Sequence, residues 1–181
     1  SLRAYQVNPG VQRDFTALSS GGWRTTKSET TYDDRGLPLR EDDLGDVSTA
    51  ADDRCTRTEY ARNTDKWLLN LAGRVETVSV ACGQTAAFPA NALSDTRNTY
   101  DDKGNLTKVE VAKERPATGP VYVTAATSEY DSHGRATAAT DALGRTTKTA
   151  FVPETGGPVT QIVSTSPPTA ALTAGLVTTT T

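Results

Sequence analysis

The chain has 181 residues, with 19 basic against 22 acidic side chains, one His, two Cys and no Met. That length suits one domain or a section of a larger one, and it is enough to bury a core. A net charge of −3 without a basic block argues against a protein that tracks nucleic-acid phosphates, and no apolar run approaches a membrane span. No basic stretch leading into an apolar run opens the chain, so no signal peptide is expected, and Ser1 in place of Met reads as an internal cut. Thr occurs 31 times against two Trp, three Phe and six Tyr. Thr is β-branched and sits well on a pleated surface, so an all-β chain is expected. A single His leaves few acid–base or metal schemes open.

In chain order, residues 1–26 carry no motif that assigns them. Over 27–152, Thr/Val-rich strands alternate with turn residues. Strands are predicted over Lys27–Tyr32, Arg54–Tyr60, Arg74–Cys82, Thr96–Tyr100, Leu106–Ala112, Val121–Tyr130, Ala136–Thr140 and Thr146–Val152. Val78, Val80 and Cys82 share one strand face in this reading, as do Val109 and Val111. Apolar parity flips between Val121/Val123 and Ser128/Tyr130, which predicts a bulge or break near Thr124–Ala126. Trp67–Leu71 is the densest apolar cluster, too short for a helix, and is expected to plug a core. Ala81–Ser94 reads as a long loop interrupting the pattern. Residues 153–181 are Thr/Pro-rich and uncharged after Glu154; a further strand pair and a partly disordered terminus are both open readings.

Self-similarity is the strongest signal. Tyr32-Asp33-Asp34-Arg35-Gly36, Tyr100-Asp101-Asp102-Lys103-Gly104 and Tyr130-Asp131-Ser132-His133-Gly134 share one pattern, and Glu59-Tyr60 keeps the Tyr alone. The four Tyr lie 28, 40 and 30 residues apart. Tyr ends a strand, Asp can accept backbone N–H groups two residues on, and Gly supplies the positive φ of a tight hairpin. A second Asp-x-x-Gly turn is expected at Asp42–Gly45 and at Asp141-Ala142-Leu143-Gly144. Those spacings leave strands of about five or six residues.

Tyr-Asp-x-x-Gly followed by Asp-Ala-Leu-Gly-Arg-Thr-Thr resembles the RHS/YD-repeat family, with Tyr130–Thr147 the nearest match. Glu59–Asn70 and Val75–Cys82 are similar to segments of secreted actinobacterial RHS proteins, and the likeness spans roughly Thr31 to Val163. The resemblance implies an antiparallel meander of YD-repeat hairpins forming part of a curved or spiral β-sheet shell. It implies a secreted or cell-surface protein, non-catalytic, whose wall encloses a C-terminal toxin or effector. The implied partners are neighbouring repeats and that enclosed polypeptide, without nucleic acid, membrane insertion or cofactor. The Pro/Asp-containing motif that ends such shells, and any toxin domain, are not found in these residues. The rival reading is a cell-surface module that binds a glycan or a protein, as eukaryotic relatives act in adhesion.

In an exported setting Cys55 and Cys82 suggest a disulfide, with two buried free thiols as the alternative. They are too few for a zinc site, with His133 far away in sequence. His133 fills the turn position that Arg35 and Lys103 hold elsewhere. Three consecutive residues of one turn, Asp131-Ser132-His133, point apart and cannot form a nucleophile–base–orienter chain. The acidic pairs Asp33-Asp34, Glu41-Asp42-Asp43, Asp52-Asp53 and Asp101-Asp102 read as turn caps rather than hydrolase carboxylates, which must face each other across a cleft. Calcium at Glu41–Asp53 is a lesser reading without EF-hand spacing. Asn105-Leu106-Thr107 is a glycosylation sequon, though Asn105 reads better as a turn exit. Trp23, Trp67, Phe88 and the Tyr set are expected to pack in strands and core.

Overall fold

The computed structural model describes residues 7–170 and 172–181. It is all-β: twelve antiparallel strands in a single sheet, hydrogen-bonded in chain order as a meander. The strands are β1 (Val11–Ala17), β2 (Trp23–Tyr32), β3 (Pro38–Asp46), β4 (Arg54–Tyr60), β5 (Ala72–Val78) and β6 (Ala92–Tyr100). They continue as β7 (Leu106–Glu114), β8 (Val121–Tyr130), β9 (Ala136–Asp141), β10 (Thr146–Val152), β11 (Gln161–Thr165) and β12 (Val177–Thr180). A 3₁₀ turn at Thr64–Lys66 is the one helical element among the described residues. The chain divides into two compact units. The first holds the residues up to Arg62 with Leu69–Arg97 and Ala112–Tyr122; the second holds Asn63–Leu68, Asn98–Val111 and Val123–Thr181.

The Asp-x-x-Gly hairpins repeat one set of bonds. Asp33, Asp101, Asp131 and Asp141 each accept two backbone N–H groups on Oδ1, from the residues two and four further on, at 2.8–3.0 Å. Gly36, Gly104, Gly134 and Gly144 each donate N–H to the carbonyl of that Asp, with φ of 77°, 87°, 77° and 75°. A side chain closes each turn by donating to Oδ2: Asn105 to Asp101 at 2.8 Å, Arg135 to Asp131 at 2.6 Å and Arg145 to Asp141 at 2.7 Å. In the first copy Leu37 occupies that position and cannot donate from its side chain, and Arg62 supplies the guanidinium to Asp33 instead. A Cβ on Gly144 would meet nothing within 4 Å, so Gly144→Ala isolates the cost of a left-handed backbone. We expect a loss of about 1 kcal/mol in urea unfolding. An unchanged midpoint would mean that the turn reshapes freely.

Several sequence expectations are corrected. Asp42–Gly45 is not a turn: β3 runs nine residues through it to Asp46. Gly45, with φ of 44°, lies in a bulge where the pairing with β2 shifts between Thr26/Ser28. The reversal comes later, where Asp52 Oδ2 accepts the Asp46 N–H at 2.9 Å and occupies the space a Cβ on Gly45 would need. β5 ends at Val78, so Val80 and Cys82 leave the strand. β8 runs unbroken through Thr124–Ala126, and its register shift against β9 lies at Glu129/Tyr130. The apparent parity flip arose from placing Val121 and Val123 inward; both are exposed, and Tyr122 is the half-buried residue. Trp67 plugs no core. It caps the 3₁₀ turn with φ of 56° and is 81% exposed.

The segment around Trp67 replaces the five-residue turn of the other hairpins. Ala61 N–H still bonds the Leu71 carbonyl at 2.8 Å, as Asp33 N–H bonds Leu37. Residues 7–26 contribute β1 and the start of β2, and residues 153–181 contribute β11 and β12. The hairpin from Val152 to Thr160 is a degenerate copy in which Pro153 stands where Tyr is expected. Thr160 Oγ1 donates to Val152 O at 3.2 Å, as Thr107 does to Thr99 and Thr137 to Glu129.

Candidate functional site

The first unit concentrates its burial and charge on one face of β3–β6. Residues directly opposite each other in an antiparallel sheet share a face. Asp42 faces Cys55 and Cys55 faces Val78, giving one row; Arg57, Glu76 and Asp95 give the next, and Glu59, Arg74 and Arg97 the third. Cys55 and Val78 are fully buried and Asp95 is 5% exposed. A lone sheet face would leave them wet. The cover is the 79–91 loop, held by a Cys55–Cys82 disulfide, by Cys82 N–H donating to Asp42 Oδ1 at 2.9 Å, and by Arg57 donating to Cys82 O at 3.4 Å.

Two cross-strand pairs on this face are opposite in charge, Arg57 with Glu76 and Glu59 with Arg74; three are alike, Arg40 with Arg57, Glu76 with Asp95 and Arg74 with Arg97. Diagonal bonds resolve the last two. Arg74 grips Asp95 in bidentate fashion at 3.0 and 2.7 Å and donates to Glu76 at 3.0 Å and Glu59 at 3.1 Å. Tyr122 donates its hydroxyl to Asp95 Oδ1 at 2.6 Å, and its ring lies under the Arg97 guanidinium, 4.2 Å from the centroid. Arg115 donates to Glu76 at 2.8 Å and stacks on Phe88 at 3.9 Å. Burial works to raise the Asp95 carboxyl, but the bonds from Arg74 and Tyr122 and the charges of Arg74 and Arg115 hold it below the ordinary carboxylate range. The bond to Asp95 likewise raises Arg74 against the opposing effect of burial. Burial, followed by the Asp95 bond, raises Tyr122.

Beside this ladder lies a groove of about 590 Å³, walled by Phe88 and Pro89 of the loop, Leu93 of β6, and Pro116 and Ala117 after β7, with Arg115 and Asp95 also lining it. Its size falls within the usual range for ligand pockets. Glu59, Glu76 and Asp95 each accept from the Arg74 guanidinium, which ties the three carboxylates into one ion-paired cluster. Its chemistry is that of a rigid, internally neutralised polar network.

The remaining sequence-picked residues lie in hairpins. Tyr32, Tyr60 and Tyr130 donate their hydroxyls to the carbonyls of Pro9, Pro38 and Leu106, at 2.9, 3.0 and 2.9 Å. Pro38 and Leu106 each stand two residues after the turn Gly of the preceding hairpin, so the Tyr ties one hairpin to the one before it. Tyr100 ends β6 at the Asp101 turn. Lys103 reaches from the Asp101 turn to Ser132 O at 2.8 Å. His133 donates its backbone N–H to Asp131, and its ring occupies the space a Cβ on Gly156 would need. Burial raises Asp53, as do the carboxylates of Asp42, Asp52 and Asp43, yet no group of three or more His, Cys, Asp or Glu among the described residues is arranged to hold a metal.

Asp131 gives a pH signature. Burial works upward, but the N–H of Arg135, its guanidinium and the N–H of His133 outweigh it and lower the carboxyl to about 2. A depressed folded-state pKa stabilises above the unfolded value near 4 and loses that contribution as pH falls through the folded value. Unfolding titrations are therefore expected to show a loss between about pH 4 and pH 2, to which Asp33, Asp95, Asp101 and Asp141 also contribute and which Asp131→Asn makes smaller. An identical profile in the variant would place the acid sensitivity elsewhere.

The ladder was missed by the sequence reading, although Arg57-x-Glu59, Arg74-x-Glu76 and Asp95-x-Arg97 were its signal: alternate charges of opposite sign on three successive strands. Tyr122, Arg115 and Phe88 gave no such pattern. No protein-family model matches the chain, and no curated protein matches it. The disulfide fits an oxidising compartment, and no described helix is long and apolar enough to cross a membrane.

Proposed function

We propose that the chain is a non-catalytic wall section of an RHS/YD-repeat shell, secreted or at the cell surface, that encloses a C-terminal toxin or effector. The observation that carries this reading is the Tyr hydroxyl bonded to the carbonyl just past the preceding hairpin's turn, seen from Tyr60 to Pro38 and from Tyr130 to Leu106. Such a bond fixes the spacing of successive hairpins independently of strand sequence. That suits a wall extended by adding units, each paired with its neighbours along the chain. Four turns with the same backbone capping, and a meander order without crossovers, support the same architecture.

Limited proteolysis of the complete polypeptide that carries this segment tests the proposal. The region beyond the repeats should resist digestion until the repeat region itself is cut. Digestion as rapid as that of the same region expressed alone would overturn the enclosure.

A second reading, a surface module that binds a glycan or a protein, is favoured by exposed aromatic side chains. Phe15 and Trp23 are both exposed, on one face of β1–β2, with Ala17 opposite Trp23, and Trp67 stands out on its loop. A glycan array with no bound member, and no change in tryptophan emission with any glycan on it, would remove the sugar-binding form of this reading.

A further inference from the structure

We infer that the Cys55–Cys82 disulfide is a redox latch: it straps the 79–91 loop over the charged ladder, and its reduction releases the loop and dismantles the groove. The inference is independent of the shell reading.

Topology points to a latch on the loop rather than a clamp on the sheet. Cys55 sits inside β4, already paired in register with Val78 of β5 and Asp42 of β3. The native strands hold these residues together without sulfur. Cys82 lies four residues past Val78, outside any strand, so the cross-link adds its constraint to the start of the loop. Beyond the cross-link, three contacts tie the loop to the face. They are Cys82 N–H to Asp42, Cys82 O from Arg57 at 3.4 Å, and Phe88 against the Arg115 guanidinium. Its other bonds are internal or at its own base, with Ala87 N–H donating to Asn91 Oδ1, Asn91 N–H to Ala87 O, and Ser79 N–H to Asn91 O. Phe88 and Pro89 form one wall of the groove, so the groove exists only while the loop is down.

The two sulfurs differ in access. Cys55 is fully buried, while Cys82 is half-buried at the loop's start. A small-molecule thiolate therefore attacks Cys82 Sγ. The S–S bond breaks, its electron pair leaves on Cys55 Sγ, and that sulfur takes a proton. A second thiol attacks the mixed disulfide, freeing the Cys82 thiol and releasing the oxidised reagent, so two thiols are consumed for each disulfide reduced. Reducing compartments would open the strap and oxidising ones would close it.

Amide hydrogen exchange on the intact chain, oxidised and then reduced with dithiothreitol, tests the latch. The amides of Cys82, Ala87 and Asn91 are expected to exchange at least about tenfold faster after reduction. Those of the β4–β5 ladder share in the unit's lower overall stability but should still exchange more slowly than the loop, and Asn105, Arg135 and Arg145 in the second unit should not change. Cys82→Ser, which leaves the buried Cys55 in place, should reproduce the reduced pattern without reagent. Unchanged loop protection would show that the loop holds itself, and reduced-state exchange of the β4–β5 amides as fast as that of the loop amides would show a staple for the whole unit. Either result overturns the latch.

Discussion

Asp95→Ala is expected to lower the stability of the first unit by about 3–5 kcal/mol, the largest single-residue effect in the chain. Asp95 is buried and takes two bonds from Arg74 and one from Tyr122. Its removal leaves the Arg74 guanidinium poorly solvated beside Arg97, its cross-strand partner, with the Tyr122 hydroxyl and the contacts to Glu59 and Glu76 in partial compensation. Asymmetry makes this costly: a charge left in a poorly solvated place loses more than the intact pair contributed. Tyr122→Phe keeps the ion pair and removes two hydroxyl bonds, the one given to Asp95 and the one accepted from Arg74, so about 2 kcal/mol is expected. Equilibrium urea unfolding followed by far-ultraviolet circular dichroism measures both. A loss under about 1 kcal/mol for Asp95→Ala would mean that water already solvates the cluster.

Breaking the disulfide comes second. Cys55 and Cys82 are 27 residues apart in sequence, and the loop-closure expression gives about 3.6 kcal/mol at 25 °C for a cross-link of that span. The term resides in the unfolded chain, which gains freedom once the link is cut. It is therefore separate from the native-state release of the loop. Urea midpoints for oxidised chain, reduced chain and Cys82→Ser should fall together for the first unit and leave the second unit's transition in place. A shift worth less than about 1 kcal/mol would show that the unfolded chain is already constrained around these residues.

The two effects fall on the same few strands for a common reason. A sheet without a second layer has no core of its own, and the first unit makes one by folding a loop onto a face. β1 shows the alternative, being exposed along its whole length and held by its pairing with β2. On the other face of β4–β5 and along the rest of the sheet, stability comes from cross-strand pairs such as Thr56 with Thr77 at 3.1 Å and Thr140 with Thr146 at 2.7 Å, and from capped turns. That is why a chain so rich in Thr and so poor in large apolar residues still folds.

The local features were legible from sequence. A turn is decided by a few contiguous residues, so Asp33, Asp101, Asp131 and Asp141, with the Gly three places on, announce their hairpins without knowledge of anything distant. Where the motif was stretched it misled. Asp42–Gly45 has the same spelling, but β2 continues to pair alongside it, and a paired strand turns the Gly into a bulge. Val121 and Val123 misled because apolar residues were assumed to face inward, whereas the polar Tyr122 finds Asp95 and turns in. The bulk of Trp67 suggests a core, but the hairpin around it is too short to fold back over the ring, which stays exposed.

By itself, the order of residues determined an all-β chain punctuated at aspartate and glycine, because backbone propensity and turn capping act within five or six neighbours. Which carboxylate is buried, which loop covers a face and which guanidinium neutralises which acid were settled only by register, since these depend on residues from 15 to 48 positions apart meeting across strands.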